Sequence, residues 1–297
     1  MRTFKLTLAY DGTAYAGWQV QPGQATVQGA LEAAIERVTG RSVRVLASGR
    51  TDAGVHAAGQ VVGFSADLTL EPGALLRALN AVLPEDVAVL DAVEVPAGFH
   101  PIRDALRKRY RYVIHDGPVR DVFERRYSWH YGRPLDEGAM HRAAQTLRGT
   151  HDFSSFETSG APRESSVRTV SDIFVCRTGV RRDGDCPVFR PTDAENRRPG
   201  RDPAETVSDE PCRVATRPTG AGDPRATFLL IEVEADGFLY NMVRAIVGTL
   251  VEVGRGAEEE AWVGNVLVAT DRRRAGPTAP PEGLCLIRVG YSPAEIP

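Results

Sequence analysis

The order in which apolar periodicities follow one another over the first 95 residues constrains this chain most. Phe4–Tyr10 alternates apolar and polar residues, the period of a half-buried strand. Val27, Leu31, Ala34, Ile35 and Val38 then recur at helical spacing, and Gly40 follows where a helix can stop. Val43–Ala47 and Gln60–Phe64 are short β-rich runs. Glu71–Leu83 reads as a helix with Pro72 in its first turn and Pro84 just past its end. Asp86–Val95 reads as a strand. The order β-α-β-β-α-β is that of the split βαβ, ferredoxin-like unit.

The rest of the chain approximately repeats that order. Arg107–His115 reads as a strand, and Asp136 caps a helix running to about Arg148. Val167–Arg177 and Thr227–Ala235 read as strands, Leu239–Val253 and Glu258–Ala269 as helices, and Leu284–Tyr291 as a last strand. The expected fold class is therefore α+β. Two ferredoxin-like halves, 1–102 and 103–297, with mainly antiparallel sheets, meet at a central cleft, a common place for a functional site. Residues 177–226 interrupt the second half with seven of the chain's 20 prolines, ten arginines and nine acids. Such a stretch is expected to be a long mobile insertion rather than a third domain.

Composition narrows the function. A net charge of −3 excludes a globally basic nucleic-acid binder, but residues 103–176 carry 13 basic and 10 acidic groups, enough for a local positive patch. No apolar run approaches the roughly 18–20 residues of a membrane span. The N-terminus alternates like a strand and lacks a signal-peptide profile. The four cysteines form no Cys-x-x-Cys pair, so a reducing cytoplasm is the expected location. Neither a phosphate-binding P-loop nor a dinucleotide fingerprint is present, which disfavours NTP and nicotinamide chemistry. The histidines show no zinc spacing, and no metal is expected.

Three segments carry candidate chemistry. Ser48-Gly49-Arg50-Thr51-Asp52-Ala53-Gly54-Val55-His56 links two predicted strands. Asp52, kept ionised by a cation, can act as a nucleophile or a base; Asp and Gly are equally turn formers. Arg107-Lys108-Arg109-Tyr110-Arg111-Tyr112 sorts on a strand into an arginine face and a face of Lys108, Tyr110 and Tyr112. One face can neutralise phosphates and the other stack on bases. The same pattern also describes a core face of tyrosines backed by a solvated face of arginines. Arg244 lies inside the apolar helix that follows Gly237. There it either snorkels to solvent or pairs with a carboxylate.

The loop sequence Gly49-Arg50-Thr51-Asp52-Ala53-Gly54-Val55-His56-Ala57 resembles the active-site motif of the tRNA pseudouridine synthase A family. Further blocks match in order along nearly the whole chain outside 177–226. They include Tyr10-Asp11-Gly12 through Gly17-Trp18-Gln19, Thr26-Val27-Gln28, Phe99-His100 and Arg109-Tyr110-Arg111-Tyr112. His151-Asp152-Phe153, Val167-Arg168-Thr169-Val170, Met242-Val243-Arg244 and Ala275-Gly276-Pro277-Thr278-Ala279 follow, with Gly283-Leu284. The resemblance implies an isomerase that converts uridine to pseudouridine at positions 38, 39 and 40 of the tRNA anticodon arm. It implies a homodimer and no cofactor. Carried over by position, it makes Asp52 the nucleophile, Arg244 its salt-bridge partner and Tyr110 the ring stacked on the target base. Leu284 becomes part of the apolar pocket floor. Arg50, with Thr51 beside it, holds the flipped nucleotide, and Arg109 and Arg111 are expected to contact RNA. Two residue-level departures stand out. Pro101-Ile102-Arg103 replaces a usual Ala-Arg-Phe after His100, and Cys285 stands where an aromatic is common.

Overall fold

A computed structural model of the chain describes residues 1–158, 165–179 and 227–292. Beyond residue 179, the expected insertion lies outside the described residues. Strand β1 (Arg2–Tyr10) buries Phe4, Leu6, Leu8 and Tyr10 on one face, as its period-two pattern requires. Helix α1 (Val27–Thr39) starts at Thr26, whose side chain accepts from the Gly29 N–H, and stops at Gly40 in the left-handed region at φ 67°. Strands β2 (Leu46–Ala47) and β3 (His56–Ala66) follow, then helix α2 (Pro72–Asn80) and strand β4 (Val87–Val95). Strand β1 lies between β3 and β4, β2 adds to β3, and all three pairings are antiparallel.

The second half contributes strands β5 (Ala105–His115) and β6 (Trp129–His130), helix α3 (Glu137–Gln145), and strands β7 (Gly149–Asp152), β8 (Val167–Gly179) and β9 (Thr227–Ala235). Helices α4 (Met242–Gly254) and α5 (Glu260–Ala269) and strand β10 (Leu284–Tyr291) complete it. Asp136 caps α3 by accepting from the Ala139 N–H. The fold is thus mixed α+β with five helices and a mostly antiparallel sheet.

The sheet departs from expectation in its continuity. Instead of two separate sheets, the strands run β4-β1-β3-β10-β5-β9-β8-β7 in a single one. The join is a short parallel pairing of β10 with β3, at Cys285 with His56 and Leu286 with Ala57. The pairing covers the start of β3 that β2 leaves open, and the facing part of β10. Strand β2 is shorter than its β-rich run suggests, and β3 starts earlier, at His56. Strands β6 and β7 were not expected, because two and four residues are too few to show a period. The core is contiguous across the join: Leu31, Leu75, Tyr112, Ile246 and Leu286 belong to one apolar cluster.

Candidate active site

The join between the halves opens into a cleft of about 940 Å³. One wall is the loop 48–55 between β2 and β3. Nearly every residue at its start is held from behind. The Ser48 N–H donates to the Val61 carbonyl at 2.8 Å, and Gln60 Nε2 donates to the Gly49 carbonyl at 2.8 Å. Tyr10 Oη and Thr51 Oγ1 share a hydrogen bond of 2.8 Å, and the Trp18 N–H donates to the Thr51 carbonyl at 2.9 Å. Gly17 lets the preceding segment approach so closely. Its φ is +94°, and a Cβ there would stand 2.8 Å from the Thr51 oxygen. The loop is therefore a fixed platform, and Asp52 projects from it at the cleft.

The facing wall comes from β5, β10 and the start of α4. Tyr110 is buried, lines the cleft, and meets Phe238 edge-on at a ring separation of 5.0 Å. Its hydroxyl makes no hydrogen bond among the described residues. Leu284, the first residue of β10, supplies buried apolar lining. Arg244 sits in the first turn of α4, where a cation opposes the helix dipole, so helix stability does not explain it. Its Nε donates to the Ala279 carbonyl at 2.7 Å and its Nη1 to Asn241 Oδ1 at 2.9 Å. Asn241 itself adopts the left-handed region at φ 61°. The segment 275–279 can lie so close to α4 because residue 248 is glycine: a Cβ there would be 1.7 Å from the Pro277 oxygen. Arg244 is thus clamped before any carboxylate is considered.

That clamp brings Arg244 Nη1 within 3.5 Å of Asp52 Oδ2, with the two side chains 16% and 28% exposed. A pair buried to this degree is neither a solvated surface bridge nor a sealed core pair. Burial pushes the Asp52 carboxyl above the ordinary aspartate range, and Arg244 opposes that rise through its charge and a hydrogen bond. Burial pushes the Tyr110 hydroxyl up, with the charges of Tyr10 and Asp52 adding to the effect. Tyr110 therefore stays neutral near pH 7.

The structure brings Arg50, Thr51, Asp52, Tyr110, Arg244 and Leu284 together around this cleft. Arg50 is exposed, whereas Thr51 is buried and bound to Tyr10. Arg109 and Arg111 do not line the cleft. They point to the opposite face of β5, where Arg109 meets Asp172, Glu232 and Glu234 at 3.2, 3.0 and 3.0 Å. Arg111 Nε donates to Glu232 at 2.6 Å. Charges matched in this way are not offered to phosphate, so their placement does not support the RNA contacts expected of Arg109 and Arg111. In the altered segment, Ile102 lines the cleft, while Arg103 turns to Asp104 at 2.7 Å and the Gly98 carbonyl at 2.6 Å. Cys285 is buried where an aromatic was the common choice. His56 lies behind the loop, its Nδ1 accepting from the Gly12 N–H at 3.1 Å. Among the described residues no group of three His, Cys, Asp or Glu is placed to hold a metal.

Sequence reasoning gave no role to Asn241, Phe238 or Trp18, although each stands in a candidate stretch. A left-handed residue ahead of a helix favours asparagine, which was the one available signal for Asn241. Lys108 was seen only as part of a strand face, yet it too lines the cleft.

A sequence model of the tRNA pseudouridine synthase family matches residues 7–102 and 143–292. The curated tRNA pseudouridine synthase A of Moorella thermoacetica is 44% identical over 98% of this chain and 100% of its own length. The protein of the same name from Pelobacter propionicus is 39% identical over 98% of this chain and all of its own. That from Myxococcus xanthus is 40% identical over 100% of this chain and 96% of its own. The Asp52 loop, the Arg244 helix and Leu284 fall inside the matched ranges, whereas Lys108 and Tyr110 of β5 lie between them. The chain belongs to the tRNA pseudouridine synthase family.

Proposed function

We propose that this chain isomerises uridine to pseudouridine in the anticodon arm of tRNA, at positions 38, 39 and 40, with Asp52 as the nucleophile. Membership of the family makes the protein an isomerase that forms pseudouridine in tRNA. The observation that carries the role given to Asp52 is the single ion pair in the cleft. A half-buried carboxylate faces one clamped guanidinium at 3.5 Å, with no second acid and no metal cluster beside it among the described residues.

The chemistry suits those groups. The target base is stacked within the anticodon arm and must be flipped out to be reached. Arg50, exposed at the cleft and hydrogen-bonded to nothing among the described residues, is suited to a phosphate of the displaced nucleotide. The bond between ribose C1′ and uracil N1 breaks, the base turns, and a bond from C1′ to C5 replaces it. N1 gains a proton and C5 loses one, so the reaction is balanced without any redox step. Asp52 adds covalently, at ribose C1′ or at uracil C6, and leaves again when the new bond is complete. Arg244 keeps enough of Asp52 ionised for this despite burial. Tyr110 gives the loose uracil a ring to turn against, and its unbonded hydroxyl can pass the C5 proton onward. Leu284 supplies apolar floor beneath the base.

The same reading includes two ferredoxin-like halves, 1–102 and 103–297. It is supported by strand order: β4-β1-β3-β2 in the first half and β10-β5-β9-β8 in the second place corresponding strands in corresponding positions. A homodimer without cofactor, working in the cytoplasm, completes it. No helix among the described residues is long and apolar enough to cross a membrane.

The test uses purified protein and tRNA tritiated at uracil C5, followed for tritium release. Release from the wild type that is lost in Asp52→Ala is the expected result. Retained release in that variant removes Asp52 from its role. No release from the wild type, on the stem-loop or on full-length tRNA, overturns the function.

A further inference from the structure

The reaction as read above leaves one cation in the cleft unused. Lys108 is one of two lysines among 36 basic residues, and it stands on the same face of β5 as Tyr110, two residues away. Its Nζ donates to the Ser48 carbonyl at 2.6 Å. Among the described residues no carboxylate pairs with it. The ammonium also sits over the next residue, since a Cβ on Gly49 would lie 3.4 Å from Nζ. Burying an ammonium without a carboxylate is unfavourable. Burial, together with the nearby charge of Arg168, pushes Lys108 down to about 8. A compact ammonium tolerated at such a site is a candidate for function rather than packing.

What the bond joins is informative. Gln60, Tyr10 and Trp18 hold the loop from the first half, to which the loop itself belongs, and fix its shape. The opposite wall meets it through Arg244 of α4 at Asp52 and Tyr291 of β10 at Ser48, and neither of these contacts comes from β5. Lys108 belongs to that wall. Its bond to Ser48 ties the loop carrying Asp52 to the strand carrying Tyr110.

We propose that Lys108 is a positioning residue: through Ser48 it fixes the Asp52 loop against β5 and so sets the carboxylate's placement relative to the base stacked on Tyr110. The inference rests on the isomerase reading. The substitution that isolates it is Lys108→Met, which keeps the stem and removes the donor and the charge. Single-turnover tritium release at saturating enzyme, tRNA Kd and melting temperature are measured together. A misplacement of the order of an ångström is expected to lower the rate by about 30- to 100-fold while Kd stays within about twofold. Lys108→Arg restores a donor and is expected to return the rate to within about fivefold of wild type.

An unchanged rate in Lys108→Met overturns the proposal. So does a weakened Kd with an unchanged rate, which makes Lys108 a phosphate contact, and so does a Lys108→Arg no faster than Lys108→Met. If Lys108→Met melts early, Lys108→Arg and Lys108→Gln are compared instead. The expected order is then wild type, arginine, glutamine, and equal rates overturn the proposal. Wild-type release with an unaffected Lys108→Met defeats this proposal alone. No wild-type release defeats the isomerase reading and this proposal with it.

Discussion

The two faces of strand β5 use the same kind of residue in opposite ways. On the face away from the cleft, Arg109 and Arg111 meet Asp172, Glu232 and Glu234, and Arg288 joins Glu234 at 3.0 Å. Burial alone would push the Glu234 carboxyl up, but the hydrogen bonds and charges of Arg109 and Arg288 outweigh it and hold the group below the ordinary glutamate range. On the cleft face the balance is reversed. Burial wins at Asp52 because a single guanidinium at 3.5 Å opposes it. A carboxylate held by several cations has been stabilised out of reactivity. One held by a single, slightly distant cation keeps its lone pairs available. Counting arginines along the strand does not distinguish these cases; the number and distance of their partners does.

That contrast is open to direct attack, with the largest effects on rate expected in the cleft. Asp52→Ala should lower pseudouridine formation by about 10⁴-fold or more, with tRNA Kd close to wild type, in a tritium-release assay paired with filter binding. Arg244→Met should lower the rate by about 10³-fold at neutral pH. It should also move the acid limb of the rate profile. With Asp52 as the proposed nucleophile the ionised carboxylate is the active form, so activity is expected to fall as pH drops through the Asp52 pKa. Arg244 holds that pKa down against burial, so its removal shifts the limb to higher pH. A limb that stays in place would show that the pair does not set Asp52's charge. Tyr110→Phe keeps the ring, so Kd should hold while the rate drops by about 100-fold if the hydroxyl carries the C5 proton. An unchanged single-turnover rate leaves only stacking. Arg109→Met should change the rate per folded molecule by less than about twofold, yet cost about 3 kcal/mol of stability, because it strands buried carboxylates. A tRNA Kd weakened more than about tenfold in that variant, with its melting temperature unchanged, would restore Arg109 to the RNA-binding surface and break the contrast.

Much of the fold was legible because periodicity reports burial directly. Phe4, Leu6, Leu8 and Tyr10 had to share one face, and Gly40 marked the end of α1 by its freedom to turn left-handed. Strands β6 and β7 were not legible, since two and four residues exist as strands only by virtue of a neighbour already in place. The candidate site was legible as a set of residues, because Asp52, Tyr110, Arg244 and Leu284 each stand in a motif. Lys108 and Asn241 were missed because their significance is a partner: Ser48, 60 residues away, for the one, and Arg244 for the other. Alternation correctly separated Arg109 and Arg111 from Tyr110 on the strand, but it could not show that glutamates from β9 would be waiting on the arginine side.

The sequence by itself determined where the long strands and the helices lie, which face of β5 carries tyrosine and which arginine, and the family to which the motifs belong. Those properties are local, written in spacing, caps and side-chain type. Only the tertiary structure decided that two sets of strands become one sheet, that Arg244 faces Asp52 while Arg109 faces glutamates, and that Lys108 bridges the two walls. The reason is that a charge's role depends on the distance and number of its partners and on its exposure to water, and those are fixed only when segments far apart in the chain are packed together.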